Sequence, residues 1–75
     1  MNYCKKSDDP NDSEWAVYNF IIEYYEKYRV SPSFYDIADE FDWQVGSAAY
    51  RVKGLQKKGY IDYIPGKYRT IRILK

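Results

Sequence analysis

The chain has 75 residues, 45% of them apolar and 20% aromatic, with one Cys and no His. This length supports one small domain, and the composition excludes zinc fingers, internal disulfides, haem ligand sets and Ser-His-Asp triads. Residues 1–43 contain four bases and ten acids, a net charge of −6, whereas residues 44–75 contain eight bases and one acid, a net charge of +7. The C-terminal part is therefore predicted to attract a polyanion, which the N-terminal part would repel.

The N-terminal residues 1–11 are predicted to form a disordered or loosely held arm, because they are mostly polar and charged and show no apolar periodicity. Residues 12–75 are predicted to form the folded domain. The arm lacks the pattern of a signal peptide, and no segment approaches the roughly 18 apolar residues of a membrane span. A cytoplasmic location with no membrane partner is therefore expected.

The first helix is predicted from Glu14 to about Tyr28, with Asp12 or Ser13 as its N-cap, because no Gly or Pro interrupts this stretch. One face of it is expected to be buried, and this face consists of Val17, Phe20, Ile21, Tyr24, Tyr25 and Tyr28. A second stripe makes the apolar arc broader than a surface helix of a monomer needs, and it consists of Trp15, Tyr18 and Ile22. This stripe is predicted either to form a homodimer or partner surface or to pack against the C-terminal hairpin.

The second helix is predicted from its N-terminal cap. Ser33-x-x-Asp36 is a capping box directly after Pro32, and it opens a short helix. The buried stripe of this helix is expected to consist of Phe34, Ile37, Ala38 and Phe41. Asp42 follows in a turn, where a short polar side chain tolerates the left-handed conformation, and Trp43 is expected to fix this turn to the core.

The third helix is predicted to begin near Gly46 or Ser47 and to end at Lys58, before Gly59. Its core side is expected to consist of Ala48, Val52 and Leu55. By helical-wheel geometry the opposite side consists of Gly46, Ser47, Tyr50, Lys53, Gly54 and Lys57, flanked by Arg51. Because Gly is unfavourable inside a helix, Gly54 on this outward side indicates a close approach of the backbone to a ligand.

After the third helix the apolar period changes to two, which is typical of strands. Residues 60–64 and 68–74 alternate and are rich in β-forming residues, and Pro65-Gly66 between them is typical of a turn. The sequence therefore predicts an α+β domain, a small winged helix-turn-helix with three helices followed by a two-stranded β-hairpin wing. The bases of residues 44–75 lie on the third helix and the wing, which such a domain presents to DNA.

Three short motifs resemble those of one family. Residues 32–38, Pro-Ser-Phe-Tyr-Asp-Ile-Ala, resemble the P-P-[ST]-x-x-[ED]-I-A segment of the LexA-type DNA-binding domain. Residues 55–61, Leu-Gln-Lys-Lys-Gly-Tyr-Ile, resemble its L-x-x-K-G-Y-I segment, and residues 69–72, Arg-Thr-Ile-Arg, resemble its R-x-I-x. The motifs follow the order and spacing of the family, and the resemblance covers about residues 17–74.

This resemblance implies a winged helix-turn-helix that binds double-stranded DNA, without the self-cleaving Ser/Lys peptidase domain of the family, for which 75 residues are too few. Two departures are expected to change the base contacts. The family usually has Gly at the position of Asp42, and the loop that enters the recognition helix is one residue shorter in this chain. The segment 44–49 also offers only Gln44 and Ser47 as hydrogen-bonding side chains.

The recognition helix, about residues 46–58, is predicted to enter the major groove, while the wing, residues 60–74, contacts the DNA backbone or minor groove. Arg51 is predicted to bind guanine, and Tyr50 to pack on a thymine methyl or reach a phosphate. The amides at the start of the second helix, at Ser33, are predicted to bind another phosphate. The full predicted set of DNA contacts is Ser33, Gln44, Ser47, Tyr50, Arg51, Lys53, Lys57, Lys67 and Arg69.

The predicted function is that of a sequence-specific transcriptional regulator, a repressor that acts by occupying its site, with a dimer on two half-sites. The alternative is a protein-interaction module that keeps the fold and uses the aromatic first helix, as a phage or plasmid modulator of a host protein would. No catalytic residues, metal, cofactor or small-molecule ligand are predicted, because the sequence offers no combination of general acid, base and nucleophile.

Overall fold

A computed structural model describes residues 9–67 and 69–75, so most of the predicted arm lies outside the described residues. Three helices come first: α1 (Asp12–Tyr28), α2 (Phe34–Phe41) and α3 (Val45–Lys57). Two short antiparallel strands follow, β1 (Ile61–Asp62) and β2 (Arg72–Ile73). This order confirms the predicted α+β arrangement of three helices and a hairpin. Within the described residues, no helix is long and apolar enough to cross a membrane.

The N-terminus of α1 is capped by Asn11, so the predicted cap at Asp12 or Ser13 is one or two residues late. The Asn11 side chain accepts a hydrogen bond from the backbone N–H of Glu14 at 2.9 Å. In return, the backbone N–H of Asn11 donates to Oε1 of Glu14 at 3.1 Å. Asn satisfies the free amides of a first turn as well as Ser or Asp does, and the Glu three residues later completes the box.

The turn between α2 and α3 confirms the local predictions. Ser33 and Asp36 form the predicted capping box. Asp42 ends α2 in the left-handed conformation at φ 59°, and the backbone N–H of Trp43 then donates to the carbonyl of Ala38 at 2.8 Å. Only residues 42–44 separate the two helices, and a turn this short is typical of a helix-turn-helix.

The hydrophobic core lies where the three helices meet the hairpin, and it consists of Val17, Ile21, Ile37, Ala38, Ala48, Val52, Leu55, Ile61 and Ile71. The predicted core side of α3 is therefore confirmed. The predicted burial of Tyr25 and Tyr28 is wrong, since these side chains are 54% and 52% exposed. The buried positions of α1 stop at Ile21, so the last two turns of this helix extend past the core.

The aromatic stripe of α1 packs against the C-terminal part of the same chain. The rings of Trp15, Tyr18 and Tyr60 meet edge to face, with centroids 5.4 to 6.0 Å apart. The Tyr18 hydroxyl also donates to the backbone carbonyl of Lys75 at 2.7 Å. Trp15 and Tyr18 therefore make the intramolecular contacts of the second predicted role, although Trp15 keeps 38% of its surface exposed.

The hairpin has the predicted topology, but its strands are shorter than predicted, with two paired residues on each side. Next to this pairing, the backbone N–H of Leu74 donates to the carbonyl of Tyr60 at 2.9 Å, whereas towards the turn side chains supply the partners. The backbone N–H of Ile64 donates to Oγ1 of Thr70 at 2.9 Å, and the backbone N–H of Ile71 donates to Oγ of Ser31 at 3.1 Å. The alternation of apolar residues predicts which way the side chains of a strand point. It does not predict where backbone pairing ends, and on the turn side of this hairpin the hydroxyl groups of Thr70 and Ser31 take the place of backbone acceptors.

Candidate nucleic-acid interface

One side of α3 is exposed and the other is fully buried. We define the basic face of α3 as Gln44, Gly46, Tyr50, Lys53 and Lys57, all of which are exposed. The Tyr50 side chain is 73% exposed. No acidic residue occurs between Val45 and Lys57, so the potential on this side is positive. The basic face therefore brings together four of the predicted contact residues.

The Gln44 side chain is available at the N-terminal end of this face. Gln44 is the N-cap residue of α3, but its side chain makes no capping hydrogen bond. Its carboxamide is therefore free to donate and accept elsewhere, which is the chemistry that reads an adenine edge in the major groove. Ser47, one turn further on, is only half exposed.

Arg51 lies at the edge of α3 and not on the basic face. Its guanidinium carbon is 4.6 Å from the ring centroid of Trp43, a cation–π distance. Nε donates to Oγ of Ser13 on α1 at 3.2 Å, and Nη1 donates to the carbonyl of Ser47 at 3.4 Å. Bidentate binding of guanine needs two donors of this guanidinium, of which Nε and Nη1 are engaged within the chain, so the geometry favours support of the turn instead.

The predicted outward position of Gly54 is wrong. Gly54 faces Glu14 of α1, and a Cβ atom there would overlap Oε2 of that side chain. Glu14 is only 5% exposed, and its Oε1 forms an ion pair with Nζ of Lys58 at 2.6 Å. Gly54 therefore makes room for a buried carboxylate between α1 and α3, and it does not serve a ligand.

Sequence reasoning missed the Glu14–Lys58 pair, although a signal for it was present. Glu14, Val17 and Ile21 follow each other at i, i+3 and i+7, so the acid lies on the buried face of α1. A buried carboxylate needs a cationic partner, and the glycine opposite leaves space for one oxygen. This pair removes Lys58 from the set of bases available to a ligand.

Of the two wing bases predicted to contact DNA, only Arg69 is engaged with the helices. Lys67, beside the Gly66 turn, is exposed. Arg69 instead points back to the helices, where its Nη1 lies 2.9 Å from Oδ2 of Asp36. Asp36 also accepts the backbone N–H of Ser33 at 2.9 Å, so the amide predicted to bind a phosphate already has a carboxylate partner.

The charges of this pair stabilise each other. Burial raises the pKa of Asp36, but hydrogen bonds from Ser33 and Tyr24 and the charge of Arg69 outweigh it and hold that pKa below its usual value. The hydrogen bond with Tyr24, followed by the charge of Asp36, raises the pKa of Arg69. Both groups are therefore charged at neutral pH.

Three helices with a three-residue turn between α2 and α3, an exposed basic face on α3 and a following β-hairpin define a winged helix-turn-helix domain. The family model of the LexA DNA binding domain matches residues 13–70, which is most of the chain. The chain belongs to the LexA DNA-binding domain family.

Two curated relatives agree with this assignment. The LexA repressor of Desulfatibacillum aliphaticivorans is 33% identical over 69 residues, which cover 91% of this chain and 34% of that protein. The LexA repressor of Thermosipho africanus (strain TCF52B) is 39% identical over 59 residues, which cover 79% of this chain and 30% of that protein. The chain thus spans about a third of the length of these relatives.

Proposed function

We propose that the chain is a transcriptional regulator that binds double-stranded DNA, with α3 in the major groove and its basic face towards the bases. The observation that carries this proposal is the division of α3 into two sides. Ala48, Val52 and Leu55 are fully buried, and the opposite side is exposed, basic and free of acids. A helix fixed in this way presents its side chains to a groove at a defined angle.

The proposed contacts differ in kind along α3. Gln44 and Tyr50 project near the N-terminal end, which enters the groove most deeply, so they reach base edges, with Ser47 beside them. Lys53 and Lys57 lie further along the helix and neutralise phosphates. Lys67 at the tip of the wing reaches a phosphate or the minor groove. Arg51 supports Trp43 and the turn, and it thereby holds Gln44 in place.

Repression by site occupancy is the proposed mode of regulation, because the two similar proteins are repressors by name. Pairing of two copies through α1 stays a prediction, and Trp15 is its remaining exposed anchor. The alternative of a protein-interaction module on α1 has less support, because Tyr18 contacts Tyr60 and Lys75 of its own chain. Sedimentation of the free protein over a range of concentrations tests the pairing.

The experiment that tests DNA binding is fluorescence anisotropy of a labelled mixed-sequence duplex at several salt concentrations. We expect wild type to bind with a log–log salt slope of about −3, as the three phosphates proposed for Lys53, Lys57 and Lys67 give at about 0.9 each. Lys53→Ala/Lys57→Ala is expected to reduce the magnitude of that slope by about 2. The matched control is Lys27→Ala, which removes an exposed lysine from α1 and should leave binding unchanged.

Two results would contradict the proposal. One is the absence of binding by wild type at low salt, and the other is equal loss of binding in the double variant and in the Lys27→Ala control. Enrichment of bound duplexes from a random pool then tests sequence specificity. If Gln44 and Tyr50 contact bases, Gln44→Ala and Tyr50→Ala should each change the enriched sequence without a matching change in the salt slope.

A further inference from the structure

We infer that Arg69 is a positioning residue, which fixes the wing through Asp36 and does not itself contact DNA. This inference rests on the proposed function, because the wing angle matters only if the wing approaches DNA. It also differs from the prediction made from the sequence, which placed Arg69 among the DNA contacts of the wing. We call the group formed by Arg69, Asp36, Tyr24 and Ser31 the wing clasp.

The wing clasp joins the wing to three other parts of the chain at once. Nη1 of Arg69 lies 2.9 Å from Oδ2 of Asp36 on α2. The same nitrogen lies 3.1 Å from the hydroxyl of Tyr24 on α1 and 3.2 Å from the carbonyl of Ser31 in the connector. All three oxygens are bound by Nη1, so this nitrogen is engaged within the chain although the Arg69 side chain keeps 45% of its surface exposed.

The backbone at Arg69 is itself in an unfavourable conformation. Its φ of 58° lies in the left-handed region, which residues with a side chain rarely adopt. Such a conformation persists only where surrounding contacts outweigh its cost, and the three oxygens around the guanidinium supply them. The side chain and the backbone of this one residue therefore both take part in bending the wing towards α2.

Asp36 connects this bend to the helix-turn-helix. Its Oδ2 accepts three hydrogen bonds, from the backbone N–H and the Oγ of Ser33 and from Arg69. The carboxylate therefore caps α2 and anchors the wing with one oxygen. Lys67, two residues before Arg69, is exposed at the wing tip, so the place of its charge relative to α3 depends on the clasp. A phosphate that took Nη1 of Arg69 would compete with Asp36 for it.

The test is a double-mutant cycle on DNA affinity, with Arg69→Gln, Asp36→Asn and the double variant, measured by anisotropy on one duplex. We expect each single variant to bind about fivefold more weakly, and the double variant to bind no more weakly than either, because both remove one clasp. The salt slope should stay at its wild-type value. The control Lys67→Gln should reduce the magnitude of the slope by about 0.9, the change for one phosphate contact.

Direct contact between Arg69 and a phosphate predicts the opposite pattern. Asp36→Asn would then free the guanidinium and tighten DNA binding. Arg69→Gln would reduce the magnitude of the salt slope, as Lys67→Gln does. Either result overturns the inference. So would unchanged affinity in all three variants with a lowered melting temperature, which is the mark of a purely structural role. The melting temperature of each variant is determined by circular dichroism, and all affinities are measured well below it.

The cycle also separates this inference from the function on which it rests. If wild type binds DNA and the losses in the single variants multiply in the double variant, the wing clasp is refuted and DNA binding stands. If wild type fails to bind any duplex at low salt, the proposed function and the inference fail together.

Discussion

The helix-turn-helix and the wing differ in how much polar contacts contribute to holding them in place. In the helix-turn-helix, α3 packs through three fully buried apolar side chains, Ala48, Val52 and Leu55. The wing also contributes Ile61 and Ile71 to the core, but its strands pair through only two residues each, and side-chain hydrogen bonds from Arg69 and to Ser31 add to its attachment to the helices. Apolar packing is non-directional and sets stability, whereas polar contacts are weaker and directional and set an angle. Changes in the two regions should therefore differ in size and in readout.

The largest effect is expected in the helix-turn-helix, from Leu55→Ala. Leu55 is fully buried, so truncation removes apolar contacts and leaves a cavity that costs about 2 to 5 kcal/mol. A domain of this size has a total stability of only about 4 to 11 kcal/mol, so the variant should unfold at much lower urea concentration. The control Leu74→Ala, at a side chain 52% exposed, should change stability by no more than about 0.5 kcal/mol. Equal losses in the two variants would remove the distinction between the regions.

A smaller loss is expected from Gly54→Ala, where α3 meets α1. Ala normally stabilises a helix relative to Gly by about 1 kcal/mol. At Gly54 the new methyl group would overlap Oε2 of Glu14 and displace it from Lys58, so we expect a net destabilisation of about 1 to 2 kcal/mol in urea denaturation. Gly46→Ala is the matched control, because a methyl group there meets open space. Stabilisation at both glycines would mean that the Glu14 carboxylate moves aside freely.

The two regions also differ in how far the sequence predicts them. The ends of α2, the left-handed turn at Asp42 and the core side of α3 were predictable, since caps, glycines and apolar spacing are local signals within one helical turn. The direction of Gly54 was not, because a helical wheel separates inside from outside but does not identify the neighbouring helix. Even so, the position of Glu14 on the buried face of α1 was a signal that a neighbouring helix must accommodate a carboxylate.

The wing shows where local signals end. Arg69 is 33 residues from Asp36 and 45 from Tyr24 along the chain, so no periodicity relates them. From composition alone Arg69 and Lys67 are equivalent wing bases, and only the fold shows that Arg69 is paired with Asp36 of α2. Arg51 differs from Lys53 in the same way, because Trp43 and Ser13 lie next to one and not the other. Sequence therefore located the basic surface, but it could not select the bases that are free on it.

A local effect is expected from Ser31→Ala, which acts on the wing. Oγ of Ser31 accepts the backbone N–H of Ile71 at 3.1 Å and is itself buried. Truncation leaves that amide without a partner, at a cost of about 1 kcal/mol. In hydrogen exchange, the Ile71 amide should exchange faster while that of Val52 in α3 changes little, since the wing opens without the helices. Equal acceleration of both amides would indicate that wing and helices open as one unit.

The smallest effect concerns the charge of Asp36 in the wing clasp. Burial raises the pKa of this carboxyl. The opposite effect is larger, and it comes from the hydrogen bond of the Ser33 backbone, the charge of Arg69 and the hydroxyl groups of Ser33 and Tyr24. The net shift of the pKa is therefore downward. A carboxyl with a lowered pKa stabilises the fold above its unfolded pKa of about 4, and that contribution disappears as the pH falls through the lower, folded value. Solvent screens the pair, so we expect no more than about 0.5 kcal/mol. An NMR titration of the Asp36 carboxyl carbon should give a pKa below the usual value in wild type and a higher one in Arg69→Gln. The same pKa in both proteins would show that the charge of Arg69 does not act on Asp36, and the polar contribution to the attachment of the wing would then come from hydroxyl groups such as that of Ser31.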